Sequence, residues 1–401
     1  MLICDITQAY ADISGGIKTY LNEKRKYIQA NTHDEHVLII PGEKDSLTRQ
    51  GRITLCTIKA PFVPKYKPYR FIVNLKKVYQ RLLEFKPDVI EFGSPFVLPW
   101  PIYLYQRQSQ CTVVGYYHTD FPHAYVGEML RQRIPDKLAN IAQIIAEKYA
   151  RAIYHRCDST LTGSPMFIKR LQSFDLKNIE YLPLGVDLTT FNPDKYDKAF
   201  RDELQLKTDE LLYVYAGRFC EEKRLDILLE AIEQLPAEFK CRFLFVGDGP
   251  SRPMIDAHVA KSPRSHFLIY ENSREKLARV LASADVFVTA APHETFGLLL
   301  VEAQACGLPI VGVQSGALRD RVQPGTGLLA TPNDSRALTL AIQQFASQDY
   351  QLAGCNARKL VENTFSWHKT FSHLLNHYRS LNDKEQSLPA REAIQVQIAQ
   401  Y

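Results

Sequence analysis

The chain has 401 residues, more than one hydrophobic core usually organises, so two domains are expected. Hydrophobic residues at 45% and charged residues at 23% are ordinary for a globular protein, and no run approaches the roughly 18 consecutive apolar residues of a membrane span. A net charge of +5, with no nucleic-acid module in view, does not point to DNA or RNA, and eight cysteines without close pairs suggest a reducing cytosol rather than zinc or disulfides.

Met1 to Ile6 is apolar without the basic flank of a secretory signal and reads as a first strand. The loop Asp12-Ile13-Ser14-Gly15-Gly16-Ile17 follows and leads into a helix-like stretch from Tyr20 to Ala30. Its glycine pair reads either as a tight turn with positive φ or as backbone able to approach a phosphate at a helix N-terminus. Further strands are expected at Val37 to Ile40, Val89 to Phe92, Thr112 to Tyr116 and Ser159 to Thr162, alternating with polar helical stretches in an α/β pattern.

Residues 59–86 carry eight Lys or Arg against one acid, Glu84, interleaved with Phe62, Tyr66, Tyr69, Phe71 and Tyr79. Such a segment suits an anionic membrane surface or acceptor, and equally a solvated helix face with a loop.

The pattern pauses at Leu182-Pro183-Leu184-Gly185 and Phe191-Asn192-Pro193, which places a domain boundary near 183–195. It restarts with strands at Leu211 to Tyr215, Arg242 to Val246, Phe267 to Tyr270, Val286 to Thr289 and Ile310 to Val313. The domains expected are 1–185, 186–365, and a terminal segment 366–401 that opens with a capped amphipathic helix over 366–380.

After the strand at 211–215 comes Gly217-Arg218, with Lys223 before the helix Leu225 to Leu235. Cations are poorly placed near a helix N-terminus unless an anion joins them, so Arg218 and Lys223 read as diphosphate ligands rather than solvated charge. Val246-Gly247-Asp248-Gly249-Pro250 is either a turn beside a nucleotide or an ordinary Gly-Pro turn. No Gly-x-Gly-x-x-Gly follows any strand, which argues against a dehydrogenase.

The most informative run is Pro292-His293-Glu294-Thr295-Phe296-Gly297-Leu298-Leu299-Leu300-Val301-Glu302. A loop carboxylate, a glycine and a second carboxylate on a helical pattern beginning at Glu302 suit gripping a sugar by its hydroxyls and a phosphate by helix-terminal N–H groups. The loop follows a strand, at the carboxyl end where open α/β sheets bind ligands.

Gly15-Gly16, Gly217-Arg218 with Lys223, Gly247-x-Gly249-Pro250 and Glu294-x7-Glu302 occur in the order that resembles retaining nucleotide-sugar glycosyltransferases of the GT-B group, family four (glycosyltransferase group 1). The resemblance covers most of the chain and implies two Rossmann-like doubly wound domains facing across a cleft, no metal and no other cofactor. It further implies a last helix returning to the first domain. By matching positions, Glu302 would hold the donor ribose, Glu294 the sugar hydroxyls, and Arg218 and Lys223 the diphosphate. The backbone of Thr295, Phe296, Gly297 and Leu298 would cradle sugar and phosphate, with Gly217 beside them. Gly15 and Gly16 would meet the diphosphate from the other domain when the cleft closes.

Tyr117-His118-Thr119-Asp120-Phe121-Pro122 resembles the His-Thr-x-Phe-Pro loop of members that transfer mannose, glucose or sulfoquinovose, several of them to lipids. His118 would lie beside the donor sugar, and Asp120 is a candidate acceptor contact. In place of the glycine usual after the strand at 267–270 this chain has Tyr270-Glu271-Asn272-Ser273, which leaves the base open between uridine, guanosine and adenosine. The expected partners are a nucleotide-diphosphate sugar and a lipid or glycan acceptor, met in the cytoplasm or at the inner face of the membrane. A sugar-nucleotide-binding protein without catalysis, or a transferase to a soluble small molecule, are the alternatives.

Overall fold

The computed structural model describes residues 1–11, 15–63, 68–127, 130, 134–270, 273–294 and 296–387. The chain divides into two compact units, Met1–Pro183 with His368–Tyr401, and Leu184–Trp367. No helix among the described residues is long and apolar enough to cross a membrane.

The first unit is built on the strands β1 (Leu2–Ile6), β2 (Glu35–Gly42), β3 (Ser46–Gln50), β4 (Ile53–Lys59), β5 (Val89–Phe92), β6 (Thr112–Tyr116), β7 (Ser159–Thr162) and β8 (Ile179–Tyr181). They form one sheet in the order β3-β4-β2-β1-β5-β6-β7-β8, parallel except where β3 pairs antiparallel with β4. The buried strands are apolar almost throughout because helices cover both faces of a parallel sheet. The helices of this unit are α1 (Gly16–Asn31), α2 (Leu75–Phe85), α3 (Pro99–Gln106), α4 (Asp136–Tyr154) and α5 (Pro165–Ser173).

Strand β3 went unseen in the sequence because its residues, Ser-Leu-Thr-Arg-Gln, are largely exposed and show no buried alternation. It is the edge strand, folded back through Gly51-Arg52.

The second unit carries β9 (Leu211–Ala216), β10 (Cys241–Val246), β11 (Ser265–Leu268), β12 (Val286–Val288), β13 (Ile310–Val313) and β14 (Gly327–Ala330), all parallel in the order β11-β10-β9-β12-β13-β14. Strand β11 lies two residues earlier than the apolar run at 267–270 suggested: pairing with β10 ends at Leu268, and Ile269 is 59% exposed. The helices are α6 (Lys198–Glu203), α7 (Leu225–Glu233), α8 (Arg252–Val259), α9 (Arg274–Ala282), α10 (Leu298–Ala305), α11 (Leu318–Arg321), α12 (Ser335–Ala346) and α13 (Tyr350–Thr364).

The final helix, α14 (Trp367–Ser387), groups with the first unit from His368 onward. Its Tyr378 donates to Glu91 on β5, its His377 bonds Ser159 on β7, and Arg379 pairs with Asp34.

Candidate functional site

In the second sheet β9 leads to β10 and β11 on one side and to β12 on the other, so the strand order reverses between β9 and β12. Loops leaving the carboxyl ends of strands flanking such a reversal form the crevice where open α/β sheets take ligands. Lys223 comes from the turn after β9 and Glu294 from the turn after β12, and their side chains meet: Lys223 Nζ lies 2.5 Å from Glu294 Oε1. Both are about four-fifths buried, at 19% and 23% exposure. Burial would lower the Lys223 ammonium, but the Glu294 carboxylate beside it holds its pKa above the ordinary value.

Arg218 stands at the same turn, half-exposed and paired with Glu222 at 2.8 Å. Gly217 donates its N–H to Val246 O, and Phe219 N–H bonds Asp248 O, which ties this turn to the Gly247-Asp248-Gly249 turn after β10. The two glycine turns flagged in the sequence are therefore hydrogen-bonded neighbours.

The turn after β12 is fixed from behind. Gly316, at φ 53°, has its Cα against it: a Cβ there would meet Glu294 O at 2.6 Å. Ala317 N–H donates to the same carbonyl at 2.7 Å. Phe296 is buried against Phe365, and the guanidinium of Arg321, itself 1% exposed, lies 4.3 Å from the Phe296 ring and 4.5 Å from the Phe365 ring while its Nε donates to Phe296 O. The Phe296 side chain is thus an anchor for the loop. Thr295 falls outside the described residues.

Helix α10 begins at Leu298, four residues earlier than the pattern starting at Glu302 suggested, with Gly297 as its N-cap in the left-handed region at φ 72°. The left-handed cap turns the loop straight into the helix, and the apolar Leu-Leu-Leu-Val run hid that start. Gly297 O accepts from Leu300 N–H at 2.9 Å and from Val301 N–H at 3.2 Å, which leaves the Leu298 and Leu299 N–H groups ahead of the first helical bond to face an anion.

Glu302 sits in the second turn of α10 and is 3% exposed. Its Oε1 accepts from Arg274, the first residue of α9, at 2.7 Å. Burial raises the Glu302 carboxyl, and the Arg274 guanidinium acts against that rise. Arg274 also lies 4.7 Å over the Phe191 ring. Arg274 escaped the sequence reading, although the signal was there: a cation at the first position of a helix capped by Ser273, the same unfavourable placement that singled out Lys223.

In the first unit the strand order reverses between β1 and β5. Asp5, Ile6 and Thr7 at the end of β1, Glu91 and Gly93 at the end of β5, Ile17 and Leu21 of α1, and His118 line a crevice too narrow for a water molecule. His118 is half-buried, stacked on Tyr116 with centroids 3.8 Å apart and planes 5° apart, and edge-on to Tyr20 at 5.8 Å. Burial, aided by the Lys24 ammonium, pushes its imidazole down to about 3, so the ring is neutral at neutral pH.

Lys24 on α1 is wholly buried, 2.7 Å from Asp5 Oδ1 and 3.2 Å from Glu91 Oε2, with the Tyr378 hydroxyl at 3.0 Å. Tyr20 donates to the same Glu91 oxygen.

Neither Gly15, the N-cap of α1 at φ −87°, nor Gly16 adopts a positive φ, so the tight-turn reading of the pair does not hold. A Cβ on either would meet nothing within 4 Å. Asp120 is engaged by its own unit: it accepts from the Tyr117 hydroxyl at 2.8 Å and from Arg170 Nε at 3.1 Å, which braces the loop that carries His118.

Two parallel α/β units, each with its candidate groups at a strand-order reversal, define a GT-B protein. Residues 14–190 match the family described as glycosyltransferase family 4, and residues 197–367 that described as glycosyl transferases group 1. The chain belongs to this glycosyltransferase family. It is 27% identical over 381 residues to a GDP-mannose-dependent alpha-(1-6)-phosphatidylinositol dimannoside mannosyltransferase of Mycobacterium tuberculosis, covering 94% of this chain and 95% of the relative. It is 24% identical to the alpha-monoglucosyldiacylglycerol synthase of Acholeplasma laidlawii, over 78% of this chain and 80% of that one. Sucrose-phosphate synthase from Thermosynechococcus elongatus shares the fold, with a TM-score of 0.75 at 23% identity over 95% of this chain and 98% of that one.

Proposed function

We propose that the protein is a retaining hexosyltransferase that moves a sugar, mannose from GDP-mannose or a hexose from a UDP-sugar, to a hydroxyl of a lipid or glycan acceptor without a metal ion. The observation that carries the reading is the meeting of Lys223 and Glu294 at the strand-order reversal of the second unit, with Arg218 on the same turn. One ammonium and one guanidinium suit the two charged oxygens of a diphosphate, and a carboxylate suits sugar hydroxyls.

In this reading the donor's diphosphate displaces Glu294 from Lys223, and the freed carboxylate accepts from the hexose. Glu302 takes the ribose hydroxyls, and the first-turn N–H groups of α10 face the phosphate. The bond from the anomeric carbon to the diphosphate oxygen breaks as the acceptor oxygen bonds to the same face of that carbon. The acceptor's proton passes to the leaving diphosphate, so no protein base is required. Lys223 and Arg218 stabilise the charge that develops on the diphosphate, the task elsewhere given to a divalent cation. A neutral His118 offers a hydrogen bond to the hexose. The similarity to a phosphatidylinositol dimannoside mannosyltransferase and to a monoglucosyldiacylglycerol synthase supports a hexose donor and a lipid acceptor.

The test is transfer in the presence of EDTA from GDP-, UDP- and ADP-hexoses to phosphatidylinositol and diacylglycerol, with the product's anomeric configuration read by NMR. An α-linked product from an α-linked donor supports the reading, and a β-linked product overturns retention. Donor binding without transfer to any acceptor would favour the non-catalytic binding protein.

A further inference from the structure

Helix α4 exposes four large aliphatic side chains: Leu138 at 53%, Ile141 at 54%, Ile144 at 51% and Ile145 at 62%. Its buried side is accounted for by Ala139, Ala150, Ile153 and Tyr154. At about 100° per residue, Leu138, Ile141 and Ile145 fall within roughly 60° of arc on the opposite side, with Tyr149 one turn beyond Ile145. Lys137, Ile144, Lys148 and Arg151 fill the next roughly 60°.

The apolar stripe continues onto α3. Trp100 Nε1 donates to the Tyr149 hydroxyl at 3.2 Å, and Trp100 and Leu104, four residues apart on one face of α3, are 43% and 48% exposed. The guanidinium of Arg156 lies 5.6 Å over the Trp100 ring. An aliphatic band edged by an indole on one side and by lysines on the other is the pattern of a helix lying in the headgroup region of a bilayer.

We propose that the joined faces of α3 and α4 are a docking surface for an anionic lipid bilayer. Charge decides between this and other occupants. Lys137 and Lys148 carry no ion pair among the described residues, and the acids of α4 lie elsewhere, Glu147 being turned to Arg170 at 2.5 Å. Arg151 has a loose, exposed pair with Asp175 at 3.4 Å and donates from Nε to His155 Nε2 at 3.4 Å. A second copy docked antiparallel, by a two-fold axis perpendicular to α4, would bring the two lysine edges together, which like charges oppose. In the basic segment at 59–86, Lys77 is taken by Asp45 and Arg81 by Glu84.

The surface stands apart from the donor-site reading, and its test reads binding rather than transfer. The full chain is sedimented with vesicles of phosphatidylcholine, with and without phosphatidylglycerol, at low and high salt. Binding is expected only to the anionic vesicles and should weaken with salt. The double variant Ile141→Asp/Ile145→Asp should lose about tenfold or more of the partition coefficient, and Lys137→Gln/Lys148→Gln should weaken binding and flatten its salt dependence. All these positions are exposed, so melting temperatures should match the wild type. The proposal falls if the wild type ignores anionic vesicles, if the isoleucine variant binds undiminished, or if Lys59→Gln/Lys76→Gln alone abolishes binding. It also falls if the wild type is a dimer in solution that the isoleucine variant dissolves.

Discussion

Lys223 Nζ lies 2.5 Å from Glu294 Oε1, so two side chains from different turns of one sheet neutralise each other where a diphosphate sugar would need both. Either partner alone is a partly buried charge. Lys223→Met should therefore destabilise the fold by about 2 kcal/mol, below the usual figure for a fully buried pair because both groups keep some solvent. Lys223→Met/Glu294→Gln should recover most of that loss. Urea denaturation of the four species forms the cycle that measures it, and additivity within error would show the two groups uncoupled.

Glu302 makes the same point one helix away. Arg274→Ala leaves a 3%-exposed carboxylate without the guanidinium at 2.7 Å, and a loss of about 2–4 kcal/mol is expected. Adding Glu302→Gln should restore part of it, because a neutral amide costs less to bury. If the double variant is no more stable than Arg274→Ala, the pairing is not what holds this corner.

Gly316→Ala separates stability from binding. At φ 53°, with Glu294 O only 2.6 Å from where its Cβ would lie, the substitution must push the Glu294 turn outward. A modest drop in melting temperature with a large loss of nucleotide-sugar affinity is expected. An unchanged dissociation constant would show that the Glu294 turn does not touch the donor.

Acid should unfold the first unit through its histidines. Burial lowers His36, and His118 is lowered to about 3, against an unfolded value near 6.5. Between those values the unfolded chain binds more protons than the folded one, so stability falls as pH drops from about 6.5 toward 3. Asp5 adds to the slope at the acid end. Burial would raise its carboxyl, but Lys24 and His36 hold it below the ordinary value, and that contribution is lost as it protonates. His118→Asn should flatten the profile of melting temperature against pH, and an identical slope would remove His118 from the cause.

Much of this was legible in the sequence where hydrophobic periodicity and turn chemistry agreed. Strands at 89–92, 112–116, 159–162 and 310–313 lie where their apolar runs placed them. Lys223 and Glu294 stood out because each occupied a strand-to-helix turn. What escaped was set by tertiary contact. The brace of Arg321 between Phe296 and Phe365 joins residues far apart in the chain, and Gly316 packs on a loop more than twenty residues away. Strand β3 is polar, and β14 is a four-residue edge strand of Gly-Leu-Leu-Ala, too short to mark a period. The aliphatic face of α4 was in the sequence as well, but only burial shows that Leu138, Ile141 and Ile145 point outward rather than into the core.

Calorimetric titration of GDP-mannose and UDP-hexoses into the wild type and Lys223→Met, in EDTA, tests the central claim most directly. The account predicts that one donor binds without metal and that the variant loses about a hundredfold or more in affinity, as expected for removing a charge-assisted contact to a diphosphate. Equal affinity in the two proteins, or no donor binding to the wild type without a divalent cation, would contradict it.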